Sequence, residues 1–496
     1  MSPPDSPSAQ EEVDRLALSL EATSLLNQPD PSPPEQTFDD LPDDVASIIF
    51  QFHSIDLAGK PRLLNLGAVC RRWRDIAWAT PSLWTSLNVE FWGYNEQPSD
   101  TQLELIRAWL NRSGNLPLSI SLTVYGGNKE GVFGRLREVI EIINHHCDHW
   151  YSLDLDVPSD LITYVGTSKC TLSKLNKLSL KSEGGVGRLP NMSQCSPCVV
   201  KIESVQWRIQ DLDWTRVTNL VIKLGFIAVH QALGILRAAP SLLNCSLASI
   251  GHHEEGVSSA EAYRHVTHST LRALAINISG RYSYQADQLF FTNISLPALE
   301  KFSVFGSGDK IDAGSLVVFL RQSACQLKSL SLDGSDIPGT GLIQLVQTVP
   351  SLEALYITSH YSEYGNLDRF YYALSQHLPT GARPEPVLDE PLLPSLRIFK
   401  WFGHDSTFSF DLLPKLFSPL SKDDPNSRRP LKVLRIRQPT FRRVPLESYY
   451  LSQDLISELS GLLEGVEFNF ITDNGDNLWD LSLRALNSRK APSRTK

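Results

Sequence analysis

Cys195 and Cys198 form the one C-x-x-C pair in this chain. A thiol pair at that spacing does redox chemistry or supplies half of a zinc site. Either use needs more, a helix N-terminus to lower a thiol pKa or a second pair to complete four ligands, and no second pair occurs. The two therefore read as ordinary loop cysteines. His145, His146, Cys147 and His149 make one dense run of potential ligands, and His252, His253, Glu254 and Glu255 make another. Neither follows a recognised metal spacing, so both read as exposed polar runs. Asp473 and Asp476 beside Gly475 lack the spaced acids of a calcium loop. The G-x-x-x-x-G-K-[ST], G-x-S-x-G and H-E-x-x-H patterns are absent. The expectation is a chain that is not an enzyme, with no metal site and no cofactor.

One charged run remains. Arg428 to Arg443, RRPLKVLRIRQPTFRR, holds seven bases. Lys432, Arg435 and Arg437 flank or interleave a short alternating segment whose apolar members are Leu434 and Ile436. In a strand, alternation turns Arg435 and Arg437 away from the core. Clustered guanidinium groups suit carboxylates and phosphates. Lys432, Arg435 and Arg437 are thus candidate contacts for an acidic or phosphorylated protein partner. The plain alternative is a solvated charged face.

The elements that would position these residues follow from a repeated pattern, apolar-x-x-apolar-x-apolar. Copies begin at Trp150, Leu175, Val217, Leu242, Leu271, Leu299, Leu327, Leu352, Leu396 and Leu431, with a weaker one at Leu463. Starts at 217, 242, 271, 299, 327 and 352 give gaps of 25, 29, 28, 28 and 25. A period of about 20–29 residues with this core is the signature of leucine-rich repeats. Each core reads as a short strand with two apolar side chains on one face, and stacking in parallel buries what one repeat could not. Phe226–Ala238, Ser315–Gln322 and Gly341–Thr348 read as helices between strands. The implied fold is α/β, an irregular solenoid with parallel strands on its concave face and helices on its convex face. The gap of 42 between 175 and 217 hides a repeat near Val199–Ile202. Irregularity is expected because the position where the usual pattern has Asn or Cys is Ser279, Ser307, Ser335, Ile250 or Pro439. Between Phe91 and Trp150, Gln102–Leu110 and Phe133–His146 read as helices and Leu116–Val124 as a strand, the first repeats of the array.

Ahead of the repeats stands Phe38–Leu87, FDDLPDDVASIIFQFHSIDLAGKPRLLNLGAVCRRWRDIAWATPSLWTSL. Pro42 suits a first helical turn, and Asp43 and Asp44 suit a helix N-terminus. Val45, Ile48, Ile49 and Phe52 recur at i, i+3, i+4 and i+7, one helical face. Leu63, Leu64 and Leu66 mark a second helix. Val69, Cys70, Trp73, Ile76 and Ala77 mark a third, which should stop near Thr80 because Pro81 follows.

This segment resembles an F-box. The resemblance is carried by Leu41-Pro42, Ile48-Ile49-Phe50, Leu64, Val69-Cys70-Arg71-Arg72-Trp73-Arg74 and Pro81-Ser82-Leu83-Trp84, in order. The Pro-Ser-Leu-Trp ending and the leucine-rich remainder are similar to F-box proteins abundant in fungi. Asp44 departs from the glutamate often found in that family but keeps its charge. The resemblance implies docking to the Skp-type adaptor of SCF-type cullin–RING ubiquitin ligases. It makes Leu41, Pro42, Val45, Ile48, Ile49, Leu64, Val69, Cys70 and Trp73 the candidate residues, some packing the helices and others meeting the adaptor. Arg71, Arg72 and Arg74 would lie on the rim of that interface. The function implied is that of a substrate-recognition subunit, with a protein substrate on the repeats. The alternative is a non-catalytic repeat scaffold that does not direct ubiquitination.

Composition fits this organisation. At 496 residues, 42% hydrophobic and 20% charged, the chain has globular values and room for several domains. A net charge of −9 argues against a general nucleic-acid binder. The first residues lack the basic start and apolar core of a signal peptide, and no apolar run is long enough to span a bilayer. Seven irregularly placed cysteines argue against a disulfide framework. The expected place is the cytoplasm or nucleus, away from membranes. The expected boundaries are a disordered arm at 1–36, rich in Pro and Ser with a net charge of −6, the F-box at 37–90, the repeats at 91–486 with an insertion at about 359–394, and a basic disordered tail at 487–496.

Overall fold

The structure is a computed structural model. It describes residues 41–54, 63–92, 97–125, 133–166, 174–183, 187–223, 226–251, 260–278, 284–306, 312–333, 337, 339–359, 368–375, 391–403, 410–420, 424, 427–438 and 449–490. The arm at 1–36, the His252–Glu255 run, Ser279, Ser307, Ser335, Pro439 and most of the 359–394 insertion lie outside the described residues. The chain divides into two compact units, 1–84 and 85–496.

The first unit holds three helices: α1 Asp43–Ser54, α2 Leu63–Val69 and α3 Arg71–Ala79. A 3-10 turn, Pro81–Trp84, follows. The third helix ends where the proline dictates, with Thr80 as its C-cap in an extended conformation. It begins two residues later than the spacing suggests. Val69 closes α2, and Cys70 is the N-cap of α3, its sulfur accepting from the Trp73 amide at 3.4 Å.

The second unit is built on a sheet of fourteen strands among the described residues, every neighbouring pair parallel. They are β1 Ser86–Trp92, β2 Leu118–Tyr125, β3 Trp150–Pro158, β4 Lys177–Glu183, β5 Val199–Glu203, β6 Asn219–Lys223 and β7 Asn244–Leu247. Then come β8 Ala273–Ile278, β9 Lys301–Gly306, β10 Ser329–Asp333, β11 Ala354–Ser359, β12 Ile398–Gly403, β13 Val433–Gln438 and β14 Glu467–Thr472. Their order across the sheet is their order in the chain.

The apolar positions of the repeated pattern stay in register. Leu274 pairs with Phe302, Phe302 with Leu330, Leu330 with Leu355, and Leu355 with Phe399. All five are buried. The strand near Val199 takes its place between β4 and β6. Helices cover the buried face. Phe291 of helix Tyr284–Thr292 and Phe319 of helix Ala313–Ser323 meet Phe302 of β9 with ring centroids 6.1 and 5.3 Å away. Local signals set several helix ends. Ser99 and Gln102 form a capping box for Asp100–Arg112, and Asp312 caps Ala313–Ser323.

Three features differ from the sequence reading. Strand β1 begins within the stretch assigned to the F-box and runs two residues past its end. Its Leu87 and Phe91 point inward and are buried, so alternation had marked it. Phe226–Ala238 splits into a short strand, Phe226–Ala228, and a helix, Val229–Ala238; the strand pairs with Ser249–Gly251, which contains the irregular Ile250. The last helix, Leu478–Lys490, runs four residues past 486.

Candidate functional site

In α1 two apolar stripes run along one helix. Ala46 and Phe50, at i and i+4, are buried. Phe50 packs against Trp73 of α3 with ring centroids 5.0 Å apart. Val45, Ile48 and Ile49 form the other stripe and are 38%, 51% and 41% exposed. The face predicted from the i, i+3, i+4 spacing is therefore the outer one. The inner stripe is narrower because two close-packed residues suffice to seat a helix this short.

Helix α3 packs against both α1 and α2. Leu63, Leu66 and Gly67 of α2 and Ile76 and Ala77 of α3 are buried. At Gly67 an added Cβ would lie 2.4 Å from the ring of Trp78, so only glycine admits the indole there. Trp78 meets Trp84 edge-on at 5.2 Å, and the Trp84 indole N–H donates to the Ala77 carbonyl at 2.8 Å. Two of the three arginines also tie the helices together. Arg72 donates to the Leu41 carbonyl and to Asp43 at 2.9 Å, pinning the start of α1 to α3. Arg74 Nε donates at 2.8 Å to the Gly67 carbonyl, one of the last-turn acceptors that α2 leaves unpaired.

The nine candidate residues thus divide. Pro42, Val45, Ile48, Ile49 and Val69 are exposed, Val69 at 59%. Leu41, Leu64, Cys70 and Trp73 are half-buried. Chemically the exposed set offers no acid, base or nucleophile. It offers methyl groups held on a fixed backbone, the material of an apolar protein interface. Beside α1 a polar groove is lined by Asp43, Asp44, Asp75, Arg71 and the hydroxyls of Ser47 and Thr80, which are 3.0 Å apart.

Residues 38–90 match the F-box-like family model. The match covers about a tenth of the chain and contains all nine candidates and all three helices. F-box domains in general bind Skp-type adaptors within cullin–RING ligases. The comparison with curated proteins gives no match.

In the second unit the candidate cations lie on or beside β13. Leu434 and Ile436 are buried, and Arg435 and Arg437 turn the other way. Arg435 makes an ion pair with Glu467 on β14, and Arg437 donates to the Asp473 carbonyl at 3.0 Å. Lys432 is exposed ahead of the strand. Lys400 and Tyr356 continue Arg435's row across β12 and β11, the ammonium 5.0 Å from the ring centroid. Arg429 departs from the expected charged face. It is buried and donates to the carbonyls of Leu374, Leu392 and Leu416, a staple between chain segments. Burial draws its pKa down to about 10, which still leaves it charged at neutral pH.

The thiols and imidazoles are engaged elsewhere. Cys195 is buried, and desolvation, then Asp213, pushes its pKa up to about 12, so it stays protonated and is a poor ligand or nucleophile. His145 Nδ1 bonds the Glu141 carbonyl and His149 Nδ1 the Gly114 carbonyl, at 2.7 and 3.1 Å. Burial, then His149 and His145, lowers the pKa of His146. Cys147 is buried and disulfide-bonded. Irregular cysteine spacing argued against a disulfide framework and left a single pairing unaddressed. A pairing made through the fold leaves no signature in spacing.

Proposed function

We propose that this protein is the substrate-recognition subunit of an SCF-type cullin–RING ubiquitin ligase. The observation that carries the reading is the outward apolar stripe Val45, Ile48 and Ile49 within a segment matching the F-box-like family. Covering the exposed part of three large aliphatic side chains on one short helix is worth about 0.7–1.5 kcal/mol each, enough for the centre of an interface. The adaptor covers them, with Pro42 and Val69 as further contacts. Leu41, Leu64, Cys70 and Trp73 hold the helices in place.

The second unit is a leucine-rich-repeat array that takes the protein substrate. The period of 25–29 residues and the unbroken parallel order of strands support that reading. Lys432, Arg435 and Arg437, with Lys400, offer positive charge to an acidic part of the substrate. Exposed ion pairs such as Arg435–Glu467 are weak, so an incoming carboxylate or phosphate can compete for the guanidinium. The chain itself carries no catalytic group and works by proximity, in the cytoplasm or nucleus. No helix among the described residues is long and apolar enough to cross a membrane.

The test is co-purification of full-length protein with the adaptor, comparing wild type with the Val45→Asp, Ile48→Asp, Ile49→Asp triple variant. Binding by wild type and its loss in the folded variant is the expected result. A folded wild type that captures no adaptor overturns the proposal.

A further inference from the structure

On the sheet face turned away from the buried side chains, the first strands carry an unusual group. Trp92 ends β1 and Tyr125 ends β2, and the two are cross-strand partners. Their rings stack with centroids 4.1 Å apart and an interplanar angle of 26°. Stacking does not hide them: Trp92 is 59% exposed and Tyr125 36%. Two residues back along the same face lie Glu90 and its partner Thr123, and Thr123 in turn pairs with Asp156 of β3. Asp154 lies on that face as well, two residues before Asp156.

The charges around the rings are unbalanced. Asp156 is neutralised by Lys181 of β4 at 2.8 Å. Glu90 and Asp154 have no ion-pair partner among the described residues. Strand geometry sets Glu90 roughly 6–7 Å along the chain from Trp92, within reach of one side chain lying on the indole. The unpaired Glu90, one row from an exposed aromatic stack, favours a cation over the ring faces, and Asp154, two rows back on β3, extends the negative strip along the face. They repel phosphate, which turns away nucleic acid despite the stacking surface. A neutral apolar partner would leave both carboxylates facing it unpaired.

We infer that Trp92, Tyr125, Glu90 and Asp154 form a docking site for a basic, extended protein segment, with an arginine or lysine side chain laid on the Trp92 ring and paired with Glu90. The site deepens the reading of the second unit as the partner-recognising part and rests on it. Recognition there is rigid, since both rings stand on paired strands and little side-chain entropy is lost on binding. Arginine should exceed lysine, because a planar guanidinium stacks on the indole while still donating to a carboxylate.

The experiment uses the full-length chain and three fluorescein-labelled ten-residue peptides, Arg/Gly/Ser, Lys/Gly/Ser and Glu/Gly/Ser, followed by anisotropy at low salt. The arginine peptide should bind best and the glutamate peptide not at all. Trp92→Ala should weaken arginine-peptide binding by roughly 3- to 30-fold, the range of a partly desolvated cation–π contact. The Glu90→Gln, Asp154→Asn double variant should weaken it severalfold, and Lys301→Ser, an exposed position far along the sheet on β9, should leave it unchanged. Circular dichroism confirms that each variant is folded. Equal binding of the basic peptide by the wild type and both site variants overturns the site, as does equal affinity for the glutamate peptide. Adaptor co-purification is scored in parallel. Peptide binding without adaptor capture keeps this site and removes the ligase reading; adaptor capture with unaltered peptide binding does the reverse.

Discussion

Helix α1 and strand β10 are both short and both patterned by aliphatic residues, yet they use them in opposite directions. In β10, Leu330 and Leu332 are buried, and Ser331 between them faces the other side. In α1 the larger aliphatics, Val45, Ile48 and Ile49, face solvent, while Ala46 and Phe50 make the core contact. Periodicity identifies a face in each case. It does not say what covers that face. In the sheet the cover is the chain's own helices, such as Tyr284–Thr292 and Ala313–Ser323. In α1 the chain uses a different stripe for its own packing, and the apolar remainder stays exposed.

The sharpest way to break this comparison is to attack the inner stripe. Phe50→Ala removes the ring that meets Trp73 and should destabilise the three-helix unit by about 3–5 kcal/mol. Hydrogen exchange across 43–54 and 71–79 would report it as lost protection. If protection survives intact, the assignment of inner and outer stripes is reversed. Leu330→Ala in β10 should cost about 2–5 kcal/mol, since the side chain is fully buried between Phe302 and Leu355 on neighbouring strands. A chemical-denaturation midpoint that does not move would show that this strand position can collapse around the gap. Gly67→Ala is smaller. Its new methyl group must displace the Trp78 ring, an overpacking cost of about 1–3 kcal/mol, measurable as a lowered melting temperature.

Much of this arrangement was legible in the residues because strand alternation has one solution when one face is buried. The pattern located β3, β4 and β6 through β13, and even the strand near Val199. Strand β1 was hidden only by its position, since Leu87 and Phe91 alternate like the others but follow directly on Pro81–Trp84. The two- and three-residue strands such as Phe226–Ala228 carry too few residues for any period. In α1 the second stripe was present as Ala46 and Phe50. A signal existed in that a twelve-residue helix with two apolar stripes has one more than its own core requires. The ties made by Arg72 and Arg74 left no such trace, because a basic run reads the same whether its guanidinium groups meet backbone carbonyls or solvent. Arg429 shows the extreme, a charge the sequence places on a surface and the fold places inside.

The smallest expected effect on stability is the most discriminating for function. Ile48→Ser with Ile49→Ser changes two side chains that already stand about half in water, 51% and 41% exposed. Neither Phe50 nor Ala46 is touched, so the inner stripe keeps its packing. The change in stability should stay within roughly 0.5 kcal/mol per site, the usual range for surface positions. Helix propensity shifts only slightly, since isoleucine and serine rank close together. Adaptor binding should respond quite differently. Covering the exposed half of such an aliphatic side chain in a partner's pocket is worth about 0.7–1.5 kcal/mol, so losing two weakens capture by about one to two orders of magnitude. Thermal denaturation and adaptor affinity measured on the same sample give the two numbers. A melting temperature that falls as steeply as the affinity would mean that Ile48 and Ile49 pack within the protein itself, and the contrast between helix and strand would disappear.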